Sequence, residues 1–220
     1  MRQQFHRLHL YPQSASTWQS FDPNVSRIYA ANHSSFWDGI ILNHLIRRFR
    51  HQRTYCMIDE VQVRRHPFFR RVGGFSVNRE SPRDGLRAIE YAASLLNRSP
   101  CAVVVFPQGK IEHNDLRPLN LEGGIARLIA RCPNAKVVPV SIRYEFWIEQ
   151  RAEVMIRYGD DLALQSLSKR QILDRLEHAL IGGLDELRTL GRRMQPGDSV
   201  LFRGQRSISH WKDFFHREAT

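Results

Sequence analysis

Asn32-His33-Ser34-Ser35-Phe36-Trp37-Asp38 sets a histidine and an aspartate five positions apart, just after a short apolar run. Together they can form a general base. The carboxylate accepts from one ring nitrogen, and the other nitrogen is left to take a proton near neutral pH, where an unperturbed imidazole titrates at about 6.5. On one continuous helix, residues five apart point about 140° away from each other, since each residue turns the helix by roughly 100°. The two side chains meet only if a helix begins between them. Ser35 is a suitable N-cap, and Asp38 is the capping-box carboxylate three residues on. The spacing therefore predicts His33 on the incoming loop, folded back over the first helical turn. The same residues also fit an ordinary capping box ahead of Ile40, Ile41, Leu45 and Ile46, with no chemistry implied.

Further along, three segments carry groups suited to an anionic ligand or a lipid surface. Gly73-Gly74-Phe75-Ser76-Val77-Asn78-Arg79 reads as a turn, a short strand and an arginine, the side chain whose planar fork grips phosphate best. The apolar run Ala102 to Phe106 ends at Pro107-Gln108-Gly109-Lys110, where a glycine lets backbone N–H groups approach a ligand and a lysine adds charge. Each also fits a plain turn or surface residue. Arg64-Arg65-His66-Pro67-Phe68-Phe69-Arg70-Arg71 is either a solvated helix with two core phenylalanines or an interfacial patch. In the second case the aromatics enter the acyl boundary and the arginines meet headgroup phosphates.

The elements that must position these groups alternate. Arg27–Ala31, Thr54–Ile58, Ala102–Phe106 and Val137–Ile142 read as short buried strands, with Glu153–Tyr158 as a final one. Pro139 argues for a sheet edge or a bulge. Helices are expected from Phe36 to about Arg48, over Asp84–Leu96 and Leu121–Arg131, and from Lys169 to about Leu190. This order predicts an α/β fold, a single domain with a mainly parallel central sheet flanked by helices. It closes with a C-terminal amphipathic helix and an irregular basic tail. We expect residues 1–26 to be an irregular lead-in or docking arm, residues 27–195 the α/β domain, and residues 196–220 the tail, with Phe202, Trp211, Phe214 and Phe215 docking it. In open α/β sheets, ligands sit beyond the carboxyl ends of the strands, where His33, Arg79, Gly109 and Lys110 all fall.

Lys and Arg total 33 against 22 Asp and Glu, a net charge of +11 over 220 residues. Such a balance favours acidic partners. Nucleic acid is set aside, because there is no zinc-ligand spacing and no aromatic RNA-binding strand, and the arginines cluster around apolar residues. Cys56, Cys101 and Cys132 are odd in number and far apart, which suits a reducing compartment and no disulfide or metal framework. The ten histidines are scattered, so no metal site is expected. No apolar run approaches the ~20 residues of a membrane span, and no signal peptide is expected. The expected location is cytoplasmic, with any membrane contact peripheral.

In order and spacing, these segments resemble the glycerolipid acyltransferase family, whose type member is 1-acyl-glycerol-3-phosphate acyltransferase. Its four blocks are matched by Asn32-His33 to Asp38, by Gly73 to Arg79, by Phe106-Pro107-Gln108-Gly109-Lys110-Ile111, and by the apolar stretch Val137-Val138-Pro139-Val140. The resemblance covers roughly residues 27 to 145. It implies that His33 takes the proton of an acceptor hydroxyl attacking an acyl thioester, that Asp38 supports the imidazolium, and that backbone donors near Gly109 meet the oxyanion. Arg79 with Gln108, Gly109 and Lys110 would hold the acceptor's phosphate. It further implies acyl-CoA or acyl-carrier protein as donor, a lysophospholipid or related lipid as acceptor, no resident cofactor, and an anionic membrane surface as partner. Three residues depart from the family pattern. Gln108 replaces a glutamate, Lys110 a serine or threonine, and Ile111 an arginine, which weakens the phosphate contact and opens an alternative, a lipid-binding homologue with reduced catalysis. The lead-in also looks too short and polar for the membrane-anchoring helices many relatives carry. Attachment is therefore expected through Arg64, Arg65, Phe68, Phe69, Arg70 and Arg71.

Overall fold

The structure is a computed structural model and describes residues 3–12 and 21–204. Eight strands form one sheet: β1 Phe5–Pro12, β2 Arg27–Ala31, β3 Thr54–Asp59, β4 Gly74–Val77, β5 Ala102–Val105, β6 Lys136–Glu145, β7 Ala152–Tyr158 and β8 Ser199–Arg203. The described helices are α1 Trp37–Arg50, α2 Glu60–Arg65, α3 Phe68–Arg71, α4 Pro82–Arg98, α5 Gly124–Arg131 and α6 Lys169–Arg192. The sheet order is β4-β3-β5-β2-β6-β7-β1-β8. The first five strands in that order run parallel. β7 is antiparallel to β6, β1 runs parallel to β7, and β8 turns back antiparallel on β1.

The apolar runs Ile28–Ala31 of β2 and Ala102–Val105 of β5 have a direct cause. Both faces of these strands are covered, so successive side chains enter opposite cores. Ile28, Ala30, Val103 and Val105 meet α4, α5 and α6, while Tyr29, Ala31, Ala102 and Val104 meet α1. Local caps set several boundaries. Ser81 accepts the Asp84 N–H with Pro82 at the first helical position, and Ser168 forms a capping box with Gln171 ahead of α6.

Several expectations from the sequence are corrected. Phe5–Pro12 is not an irregular lead-in but a strand inside the sheet, paired along its length with β7. The tail also re-enters the sheet as β8, so Phe202 is a strand residue and β7 is not the last strand. The boundaries expected at residues 26 and 195 therefore separate no units, because β1 and β8 belong to the same sheet as the rest. Trp211, Phe214 and Phe215 lie outside the described residues. Pro139 sits in a central strand, not at an edge. Its carbonyl accepts the Gly159 N–H, on the side where β7 has just ended, so its missing N–H falls beyond the last β6–β7 pair. Helix α5 begins at Gly124, three residues later than expected.

Candidate active site

His33 follows β2 on the five-residue connection, residues 32–36, to α1, and the predicted break between His33 and Asp38 is present. The helix starts one residue later than a Ser35 cap would place it, at Trp37, with Phe36 as N-cap and no side-chain cap bond from it. Ser35 Oγ accepts the Trp37 N–H at 3.2 Å, and Asp38 reaches back to the Ser35 N–H at 2.8 Å. Asp38 Oδ2 also accepts the Ser34 N–H at 2.7 Å and pairs with His33 Nδ1 at 2.9 Å. A carboxylate there requires the Nδ1–H tautomer, which leaves Nε2 unprotonated and able to accept a proton. Asp38 is fully buried, while the His33 side chain is 20% exposed. The imidazole stacks on Phe106 with ring centroids 4.2 Å apart.

The loop after β5 clamps the His33 backbone from both sides. Gln108 Oε1 accepts the His33 N–H at 2.8 Å, and the Glu112 N–H donates to the His33 carbonyl at 2.9 Å. Gln108 Nε2 donates in turn to Glu112 Oε2 at 3.0 Å. Lys110 is paired with Glu112 at 2.8 Å, and this bond holds the Glu112 carboxyl below its ordinary range. Lys110 thus acts first as the counter-ion of Glu112. Gly109 has φ +69°, and its N–H closes a turn onto the Phe106 carbonyl at 2.9 Å, so that donor is engaged within its own loop. Arg79 lies across Gly109, 3.6 Å from Glu122.

A cavity of about 1100 Å³ runs over the carboxyl ends of β3, β4 and β5, at the large end for a small-molecule site. His33, Arg79, Gly109 and Lys110 line it, together with Phe36, Ile40, Cys56 and Phe69. Gln108 stands behind this wall and is buried. The Arg64–Arg71 segment divides into α2 and α3. Phe69 turns into the wall, while Phe68 and Phe36 stay over 40% exposed beside it, and all four arginines face solvent.

Several contacts of the site were not read from the sequence. Tyr144 donates its hydroxyl to Asp38 Oδ1 at 2.6 Å across 106 positions. Asn32 ties the His33 loop to β6, its Nδ2 donating to Ile142 O at 2.9 Å and its Oδ1 accepting the Ile142 N–H at 2.7 Å. Glu112 and Glu122 are the acidic partners of Lys110 and Arg79. Long-range partners such as Tyr144 on Asp38 and Ile142 on Asn32 leave no local pattern to read.

Residues 13–143 match the family model described as Acyltransferase. The chain belongs to the acyltransferase family. Among its relatives is the 1-acyl-sn-glycerol-3-phosphate acyltransferase of Streptococcus pneumoniae, 22% identical over 156 residues. That match covers 67% of this chain and 54% of the relative, so the chain spans about half the length of the curated relative it matches. The fold resembles the crystal structure of the 1-acyl-sn-glycerophosphate (LPA) acyltransferase PlsC from Thermotoga maritima. Its TM-score is 0.59 at 17% identity, over 82% of this chain and 72% of that one. The mostly parallel α/β architecture expected from the sequence is therefore that of the family. Among the described residues, no helix is long and apolar enough to cross a membrane.

Proposed function

We propose that this chain is an O-acyltransferase that moves an acyl group from a thioester, acyl-CoA or acyl-carrier protein, to a hydroxyl of a lysophospholipid or related lipid. The observation that carries this is the His33–Asp38 pair at the cavity wall, with Nδ1 held by the carboxylate and Nε2 left over. His33 Nε2 takes the acceptor's hydroxyl proton as the oxygen attacks the thioester carbonyl. Asp38 keeps the ring oriented and offsets the imidazolium charge, as the carboxylate does in hydrolase triads. The tetrahedral intermediate then expels the thiolate, which recovers the proton from His33. The products are an ester and a thiol, with no acyl-enzyme. Arg79, exposed at the mouth beside Gly109, is the cation suited to an acceptor phosphate.

The proposed reaction takes place at a membrane surface. Phe36 and Phe68 are exposed beside the cavity and Val61 is 67% exposed on α2, next to Arg64, Arg65, Arg70 and Arg71. Aromatics ringed by arginine suit a headgroup boundary on the cytoplasmic face. Flotation with anionic liposomes should carry the protein to the lipid layer, and protein left wholly in solution would remove this part of the proposal.

Acyl transfer is tested with purified protein and His33→Ala, using labelled acyl-CoA or acyl-carrier protein and a total lipid extract. A labelled lipid ester that disappears in the variant supports the proposal and names the acceptor. Bound lipid without product from any donor supports instead a lipid-binding homologue, for which the Lys110–Glu112 pairing beside the altered third block would be the cause to test.

A further inference from the structure

Asp38 is fully buried and receives hydrogen bonds on both carboxylate oxygens. His33, Ser34 and Ser35 all reach Oδ2. Oδ1 receives Tyr144 at 2.6 Å. The three donors on Oδ2 come from the loop that leads directly into the first turn of α1, where Asp38 sits. Tyr144 comes from β6 and ties the carboxylate to the sheet. Two features hold the phenol there. The paired bonds between Asn32 and the Ile142 backbone lock the loop to β6 two residues before Tyr144, and the Ile142 and Tyr144 side chains share one face of the strand. The Tyr144 ring lies 5.7 Å from Phe5, which meets Trp37 edge-on at 5.6 Å. Strand β1 therefore closes the packing behind the site. Burial, and then the facing Asp38 carboxylate, push the phenol above its ordinary range, so it remains a donor at any working pH.

We propose that Tyr144 is a positioning residue for the His33–Asp38 pair, fixing the carboxylate from the strand side and drawing part of its charge away from the imidazole. The inference takes His33 as the base of the proposed transfer. A hydroxyl on Oδ1 makes the carboxylate a weaker partner for His33, and its loss strengthens the attraction between Asp38 and the imidazolium. The charged groups on the loop packed against His33 are Lys110 and Glu112, with Arg79 and Glu122 beyond Gly109. None of these is altered by a change at Tyr144.

The test is Tyr144→Phe, which keeps the ring and removes only the hydroxyl. We expect kcat to fall about tenfold with KM for the thioester unchanged, the loss of roughly one charge-assisted hydrogen bond. We also expect the acid limb of the kcat/KM profile to move up by about half a unit to one unit. The His33 imidazole, followed by NMR in histidine-labelled protein and assigned with His33→Ala, should show the same upward move. Phe5→Leu, which disturbs the seat of the ring, should move that midpoint in the same direction by less. A wild-type kcat and an unmoved His33 midpoint in Tyr144→Phe would overturn the proposal, whatever happens to Tm. The NMR readout needs no turnover. A moved midpoint in a protein that acylates nothing would keep Tyr144 as a positioning residue and sink the acyl-transfer reading instead.

Discussion

Gln108 and Glu112 are joined amide to carboxylate at 3.0 Å, and through that bond the amide is oriented so that its oxygen receives the His33 N–H. An amide is the group that can do both, donating to Glu112 on one side and accepting from His33 on the other. A glutamate at 108, the residue resembling family members carry, would accept from His33 but face Glu112 with a like charge. The departure at 108 and the acid at 112 are thus two halves of one arrangement.

Gln108→Glu should therefore lower both stability and activity, and Gln108→Glu with Glu112→Gln should restore most of each. Position 108 is buried, so the like-charge pair costs about 1–3 kcal/mol. The measurement is a double-mutant cycle on Tm and on initial rate. Additive losses in the double variant would show that the two side chains act separately.

Cys56 lines the cavity, so it is the one cysteine placed to compete as a nucleophile. Full burial pushes its thiol up to about 12, leaving almost no thiolate at neutral pH. Cys56→Ala is expected to retain most of the transfer rate, and native protein should react slowly with a thiol reagent. Loss of activity comparable with that of His33→Ala would point to an acyl-enzyme and away from direct transfer.

Gly109→Ala should impair acceptor use more than donor use. At φ +69° an alanine is strained by about 1–2 kcal/mol. Its methyl would also stand 2.8 Å from Glu122 Oε1 and 3.2 Å from Arg79 Nη2, forcing that pair apart. A raised KM for a phosphate-bearing acceptor, with the donor's KM little changed, is the expected result of steady-state kinetics.

Lys110, followed by Gln108, holds the Glu112 carboxyl below its ordinary range. A carboxyl lowered in the folded state stabilises the protein above its unfolded value of about 4.3, and this contribution is lost as pH falls through the folded value. Wild type should therefore exceed Glu112→Gln in Tm at neutral pH, and the gap should close below about pH 4. Asp115, lowered by its bond to Arg143, loses its contribution over the same acid range. A gap that is constant from pH 3 to 7 would exclude a role for the charge.

Local pattern was enough to make the contact of His33 with Asp38 an expectation, because a helix start between two residues five apart permits it. It was enough for β2 and β5 as well, since strands covered on both faces leave continuous apolar runs. It could not disclose β1, whose sequence, with His6, Arg7, His9 and Pro12, reads as polar and turn-rich. His9 is fully buried, with Nε2 paired to Glu153 at 3.0 Å, 144 positions away, and Nδ1 accepting the Gly197 N–H at 3.3 Å. The central placement of Pro139 and the hydroxyl of Tyr144 on Asp38 were likewise decided by the tertiary structure. Hydrophobic periodicity is written into each segment, because burial depends on which face a residue occupies. The partner of a buried polar group is set by which strands lie side by side, and that adjacency exists only once the chain has folded.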